Sequence, residues 1–257
     1  MPTDTFSLAD KVAVVVGGGG VLAGAMASGF AEAGADVAVL DLIGANAEAR
    51  AAAIRSLGRR AIGVACDATS KADLTRALET TLAELGGVDI LLNAAGINSG
   101  TPFFEISEAE WHKILDVNLK GMFLACQVFG KVMVESGRGG SIINISSASS
   151  GPPLSKVFTY SITKAGVNQL TQWLAREWAP FKVRVNAVAP GFLPAEQNRA
   201  LLTDERMADI FRHTPMARFG EPGELVPVTV WLASEQASSY VTGAIIHVDG
   251  GFSAMTI

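Results

Sequence analysis

Residues 11–24 read KVAVVVGGGGVLAG. Lys11 to Val16 is a run of mostly β-branched residues, whose stiff side chains suit a buried strand. It stops at four glycines, Gly17 to Gly20, and a helical pattern rich in small residues runs from near Leu22 to Ala33. The order is strand, glycine turn, helix. Glycines let a backbone come close to a diphosphate, and a helix N-terminus offers unpaired amides and partial positive charge to it. Asp36 to Asp41 (DVAVLD) reads as a second strand ending in an acid roughly twenty residues after the glycines. An acid there can accept the ribose hydroxyls of NAD and repels the extra phosphate of NADP. No Arg or Lys lies between Gly17 and Asp41 to receive that phosphate. The expected cofactor is therefore NAD, with NADP disfavoured by Asp41.

The alternation continues along the chain. Residues 45–57 read as helix and Arg60 to Ala65 as a third strand, with Asp67 beyond it to reach an adenine amino group or to cap the helix at Lys71 to Leu85. Val88 to Leu92 reads as a fourth strand. The small residues in Asn93-Ala94-Ala95-Gly96 after it suit a flat cofactor ring lying on the backbone. Ser107-x-x-Glu110 has the form of a capping box opening a helical region that runs to about Glu135, with Asn118 inside it. Ser141 to Ile145 is a fifth strand with Ser146 and Ser147 at its carboxyl end. Lys182 to Val188 is a sixth, leading to Pro190-Gly191, and Ala244 to Val248 is the last. Between them, residues 192–221 carry Gln197, Asn198, Arg199, Arg206, Arg212, His213 and Arg218, and read as a substrate-facing insertion or lid. These elements predict a single doubly wound, Rossmann-type α/β domain over residues 1–257, with a parallel seven-stranded sheet and helices on both faces.

Tyr160-Ser161-Ile162-Thr163-Lys164 carries the chemistry. Tyrosine and lysine four residues apart share a helix face, and a nearby cation favours a phenolate, the condition for proton transfer near neutral pH. Phe158, Ile162, Val167, Leu170 and Leu174 predict that helix's apolar, inward face. Asn118 is a poor mid-helix residue, which suggests a specific polar task. The composition narrows the class. The 257 residues carry net charge −5, so a nucleic-acid or anionic membrane partner is not expected. No apolar run has membrane-spanning length and no signal core opens the chain, so a cytoplasmic protein is expected. Cys66 and Cys126 read as buried free thiols, and His112, His213 and His247 lack ligand spacing, so no metal site is expected.

Taken together, Gly17 to Gly20, Asp41, Asn93 to Gly96, Asn118, Ser147 and the Tyr160/Lys164 pair resemble the short-chain dehydrogenase/reductase family along essentially the whole chain. The resemblance implies a catalytic tetrad of Asn118, Ser147, Tyr160 and Lys164. Tyr160 would exchange a proton with the substrate oxygen and Ser147 would hydrogen-bond that oxygen. Lys164 would hold the nicotinamide ribose and depress the tyrosine pKa, and Asn118 would position a water linking Lys164 to solvent. It implies cofactor contacts at Gly17, Gly20, Val21, Leu22, Asp41, Leu42, Asp67, Ala68, Asn93, Ala94, Ala95, Gly96, Tyr160, Lys164, Pro190, Gly191 and Leu193. The chain departs from the family pattern Thr-Gly-x-x-x-Gly-Ile-Gly at Val16, Val21 and Ala23, carries Ala94 at the second asparagine of Asn-Asn-Ala-Gly, and has Ala195 where a carboxamide-contacting threonine is common.

Within the family, the glycine turn with Val21-Leu22, residues 196–202 and His213-Thr214-Pro215-Met216 are similar to D-mannonate oxidoreductases and related sugar-acid dehydrogenases. Gln197, Asn198 and Arg199 supply amide groups and a bidentate carboxylate partner, unless Arg199 pairs with a neighbouring Glu; Asn98, Ser147 and Ser149 are the other substrate candidates. A 3-oxoacyl thioester or cyclic alcohol is the alternative substrate class, favoured by Phe192, Leu193, Leu201 and Leu202. A non-catalytic dinucleotide-binding protein is the alternative of another kind. The family also implies a homotetramer through helices near 107–135 and 157–178, with Trp173 and Trp178 serving either that interface or the core.

Overall fold

The computed structural model describes residues 5–152, 154–193 and 203–255. The strands are β1 (Val12–Val16), β2 (Asp36–Asp41), β3 (Ala61–Ala65), β4 (Ile90–Asn93), β5 (Gly140–Ile145), β6 (Val183–Pro190) and β7 (Ile245–Val248). Between them lie α1 (Val21–Glu32), α2 (Gly44–Ser56), α3 (Lys71–Leu85), α4 (Glu108–Leu115), α5 (Gly121–Ser136) and α6 (Phe158–Trp178), then α7 (Asp204–Arg212), α8 (Val226–Ala233) and α9 (Glu235–Ser238). All pairings are parallel, in the order β3-β2-β1-β4-β5-β6-β7. This is the single Rossmann-type domain that the alternation predicts.

Valine-rich strands suit this sheet because both of its faces are covered. Along β1, Ala13 and Val15 enter a core built with Met26 and Phe30 of α1 and Leu232 of α8. Val12, Val14 and Val16 enter the opposite core, built with Leu74 of α3 and Phe129 and Met133 of α5. Five consecutive buried residues follow from that double burial. Cys66 and Cys126 are buried free thiols, and burial pushes them up to about 11 and about 12.

Three sequence expectations are corrected here. The helical region Glu108–Ser136 is continuous through a π-helical turn at Asp116–Lys120, and as one helix it is long and apolar enough to cross a membrane; half of its most apolar window is nevertheless buried inside the domain. Ser107 caps α4 by accepting from the Glu110 amide, but the Glu110 carboxylate accepts from Thr101 Oγ1 instead of returning to the cap. The inward face of α6 is Thr159, Thr163, Lys164, Val167, Thr171 and Ala175, while Phe158 and Ile162 are exposed. Thr163, Lys164 and Thr171 can be buried because each has a hydrogen-bond partner inside.

Strand order reverses between β1 and β4, which brings the turn after β1 against the segment after β4. Gly17 has φ +80, and a Cβ there would stand 2.8 Å from both the Cα and the N of Ala95. Left-handed backbone strain and main-chain overlap should together make Gly17→Ala destabilising by about 2 kcal/mol or more, a fall in Tm of about 4–8 °C. Differential scanning calorimetry checks this.

Candidate active site

The carboxyl ends of β1, β4, β5 and β6 open on one side of the sheet, and the order reversal leaves a crevice there, the usual ligand position in such sheets. Ser146 and Ser147 leave β5 at this edge. Ser147 Oγ accepts from the Ser149 amide at 3.1 Å and the Ser149 hydroxyl at 3.0 Å, so its own proton is directed elsewhere. It meets the Tyr160 hydroxyl, where its hydrogen bond favours the phenolate. Lys164 follows one helical turn after Tyr160, with its Nζ 5.4 Å from the ring centroid. That ammonium is 3% exposed and donates to the Ile145 carbonyl at 2.7 Å.

Asn118 enters from the π turn. Its Oδ1 accepts from the Ile97 amide at 2.8 Å, while its Nδ2 donates to the Ile97 carbonyl at 2.9 Å and to Thr163 Oγ1 at 3.2 Å. Asn118 thus ties the segment after β4 to α6. Gly96 lies over the join, where a Cβ would come 3.5 Å from Asn118 Oδ1 and 3.8 Å from Lys164 Nζ. The structure gathers all four residues of the expected tetrad.

Burial raises the Tyr160 pKa, and the Ser147 hydrogen bond opposes that rise. Lys164 is itself buried against a neutral carbonyl, and loss of solvation pushes it down to about 8.

Positioning residues escaped the sequence reading. Ser146 Oγ donates to Asn168 Oδ1 at 2.6 Å, and Asn168 Nδ2 donates to Ser150 Oγ at 2.9 Å, so Asn168 braces the Ser146–Ser150 turn against α6. Its place four residues after Lys164 on the same helix face was the available signal.

The nucleotide side is built at α1. Gly20 is its N-cap with no side-chain cap, and a Cβ there would find only Gly17 O at 3.4 Å. At Gly18 and Gly19 a Cβ would fall 2.7 Å from Val39 and Asn46 respectively. Those two glycines serve packing, whereas Gly20 and the bare helix end leave space and amides for an anion. Asp41 is held beside them, accepting from the Gly19 amide at 3.1 Å and the Ile43 amide at 3.0 Å. Val21 and Leu42 project outward at this rim, Leu22 and Ala68 are partly buried, and Leu193 is buried against Gly220. Asp67 accepts from the Thr69 amide and hydroxyl, and Ser70 caps α3 in its place. Gly191 passes beside Asp249, whose Cα would be 2.6 Å from a Cβ at that glycine, and Pro190 is buried as the end of β6.

Two candidate contacts are corrected. Asn93 is 2% exposed and its side chain donates to Asn144 Oδ1 at 2.9 Å, because strand alternation turns it into the core. Ser149 supports Ser147 through its hydroxyl and is itself buried, so it is a positioning group. Asn98 is exposed, its side chain accepting from the Ser99 amide. Gln197, Asn198, Arg199 and Ala195 lie outside the described residues. A cavity of about 550 Å³ flanks the site between Leu154, Ser155, Phe192, Arg206, His213 and Phe252.

A family profile described as enoyl-(acyl carrier protein) reductase, of the short-chain dehydrogenase C2 type, matches residues 20–253. The chain belongs to the short-chain dehydrogenase/reductase family. It is 36% identical to the 2-dehydro-3-deoxy-D-gluconate 5-dehydrogenase of Escherichia coli, over 99% of this chain and 100% of that one. It is also 36% identical to the D-threitol dehydrogenase of Mycolicibacterium smegmatis, over 96% and 94%. Among solved structures it resembles a gluconate 5-dehydrogenase from Burkholderia cenocepacia in complex with NADP and tartrate, at 32% identity and TM-score 0.93 over 98% and 99% of the chains. A protein assigned as a D-mannonate oxidoreductase from Haemophilus influenza, with bound NAD, is similar at 33% identity and TM-score 0.93 over 97% of both chains. The chain is thus an oxidoreductase of a family that uses a nicotinamide cofactor and acts on alcohol or keto groups.

Burial of Lys164 has a stability consequence with a definite sign. Its pKa falls from 10.5 to about 8 on folding, so between those values the unfolded chain binds the extra proton and stability rises with pH. Below pH 8 the folded state carries the full penalty. Lys164→Met should therefore stabilise the protein by about 3 kcal/mol at pH 7, with the advantage disappearing as pH approaches 10.5. Urea unfolding of both proteins at pH 7 and pH 10 checks it.

Proposed function

We propose that this chain is an NAD-dependent oxidoreductase that interconverts a secondary alcohol and a ketone on a sugar acid of the mannonate/fructuronate kind, with Tyr160 as general acid and base. The observation that carries it is the Tyr160 hydroxyl held by Ser147 over the buried Lys164, at the crevice mouth shared with Gly20 and Asp41. A bound nicotinamide would supply the hydride acceptor or donor. Gly20 and the α1 amides would hold the diphosphate, Asp41 the adenosine ribose, and Lys164 the nicotinamide ribose. In reduction Tyr160 gives its proton to the new alkoxide oxygen while Ser147 donates to that oxygen; in oxidation both transfers run backwards. A phenol raised by burial is a ready acid at neutral pH and a poor base. Reduction should therefore lead at pH 7 and oxidation should gain as pH rises, which initial rates in both directions will show.

Solved relatives hold NAD in one case and NADP in another, so the preference rests on Asp41. A 2′-phosphate would face its carboxylate. The names of the relatives divide between sugar acids and neutral polyols; the acid reading is favoured by Arg206, which lines the flanking cavity. The apolar Leu154, Phe192 and Phe252 in the flanking cavity support a 3-oxoacyl thioester or cyclic alcohol as the second reading.

A homotetramer is part of the proposal. Trp173 is 57% exposed on α6 and Phe123 and Phe158 add apolar surface, whereas Trp178 packs into the core against Gly130. The buried reduced thiols fit a cytoplasmic location.

Two measurements test the core of this reading. Tyr160→Phe should lower turnover by about 10²–10⁴-fold while NADH binding, followed by fluorescence, stays within about threefold; unchanged turnover would remove the mechanism. NADH should bind more tightly than NADPH, and Asp41→Ser should narrow the gap at least tenfold. Equal binding of both cofactors by the parent protein would remove Asp41 as the selector.

A further inference from the structure

We infer that Arg206 is the carboxylate-binding residue of a substrate subsite, and that it selects hydroxy acids over neutral polyols. The inference rests on the proposed reaction, but its evidence is separate. Arg206 stands in the first turn of α7 and lines the cavity of about 550 Å³ beside the crevice. Two segments that adjoin the site in sequence line the same cavity. Leu154 and Ser155 belong to the chain between Ser147 and Tyr160, and Phe192 directly follows Pro190-Gly191. On this inference a molecule presenting its oxygen to Tyr160 extends its far end towards Arg206.

The guanidinium is placed but not neutralised. Its Nη1 donates to Ser155 Oγ at 2.8 Å and its Nη2 to the Ser155 carbonyl at 3.4 Å, and both acceptors are uncharged. Among the described residues it has no carboxylate partner. The other charged or titratable groups on this wall are already engaged: Asp209 pairs with Arg212, and His213 Nδ1 bonds the Asp209 carbonyl at 3.0 Å. A guanidinium carries five N–H groups, so with Ser155 fixing its plane about three remain for a ligand. Two parallel N–H groups match the two oxygens of a carboxylate, whereas a polyol hydroxyl can use only one and brings no opposite charge. Leu154, Phe192 and Phe252 add apolar surface to the same cavity.

The distinction matters because relatives of equal identity are named for a sugar acid and for threitol, so overall similarity does not choose between them. The test uses the full chain, as the parent protein, Arg206→Gln and Arg206→Lys, with NADH present for binding and NAD+ as the hydride acceptor for turnover. Tartrate binding is measured by isothermal titration. Turnover is measured on D-mannonate and on D-mannitol, which share a carbon skeleton and differ in the carboxylate. Arg206→Gln should weaken tartrate binding at least tenfold, and raise KM for mannonate at least tenfold more than KM for mannitol, with kcat changing less than KM. Arg206→Lys should recover part of both.

Unchanged tartrate binding, or equal losses on mannonate and mannitol, would overturn the subsite and leave Arg206 as a tie to Ser155. Tartrate binding that depends on Arg206, in a protein that turns over no sugar acid, would uphold the subsite and overturn the proposed reaction instead.

Discussion

A lysine ammonium buried to 3% exposure with a backbone carbonyl as its hydrogen-bond acceptor is the constraint on which the site depends. An isolated charge in that setting is expensive, and the chain relieves it by lowering its pKa to about 8. Holding Lys164 there requires α6 to turn a polar face inward, so Thr163 and Thr171 find acceptors on their own helix, while Asn118 and Asn144 reach them from neighbouring elements. The apolar residues displaced from that face, Phe158 and Ile162, emerge on the surface. The burial of one lysine thus goes with the orientation of a 21-residue helix and leaves apolar side chains on its exterior.

The crevice depends on a second, steric condition. Reversal of strand order at β1 and β4 makes two chain segments leave the sheet side by side, and Gly17 permits their contact because it alone has neither a Cβ nor a penalty at φ +80. The other glycines of the turn divide the remaining work. Gly18 and Gly19 admit Val39 and Asn46, and Gly20 leaves the head of α1 open. The chain's departures from the usual family pattern therefore do not close the site, since the space is preserved at Gly20 although Val21 and Ala23 replace later glycines.

Much of this was legible because local chemistry and global fold agree. Valine runs bounded by glycine located the strands, and the spacing of Asp41 from Gly17 and of Lys164 from Tyr160 identified groups that meet in space. Where the reading failed, the missing information was direction. Periodicity gave α6 an amphipathic pattern, but whether Phe158 or Thr163 faces the sheet depends on which polar atoms find partners inside. Asn93 looked like a cofactor contact, and strand alternation sends its side chain to Asn144. Asn168 was unremarkable as a letter, and became a brace only when Ser146 and Ser150 stood opposite it.

The sequence by itself determined the fold class, the order of elements, the family and the identity of the four residues gathered at the crevice. The fold class and element order follow from composition and short spacings along one chain, whereas the family and the full set of four come from the resemblance of its motifs. The tertiary structure decided the protonation balance of Tyr160 and Lys164, the division of labour among the glycines and the placing of Arg206 opposite Ser155. Desolvation, close packing and an unneutralised charge are properties of what surrounds a residue, and that surrounding comes from segments far apart in the sequence.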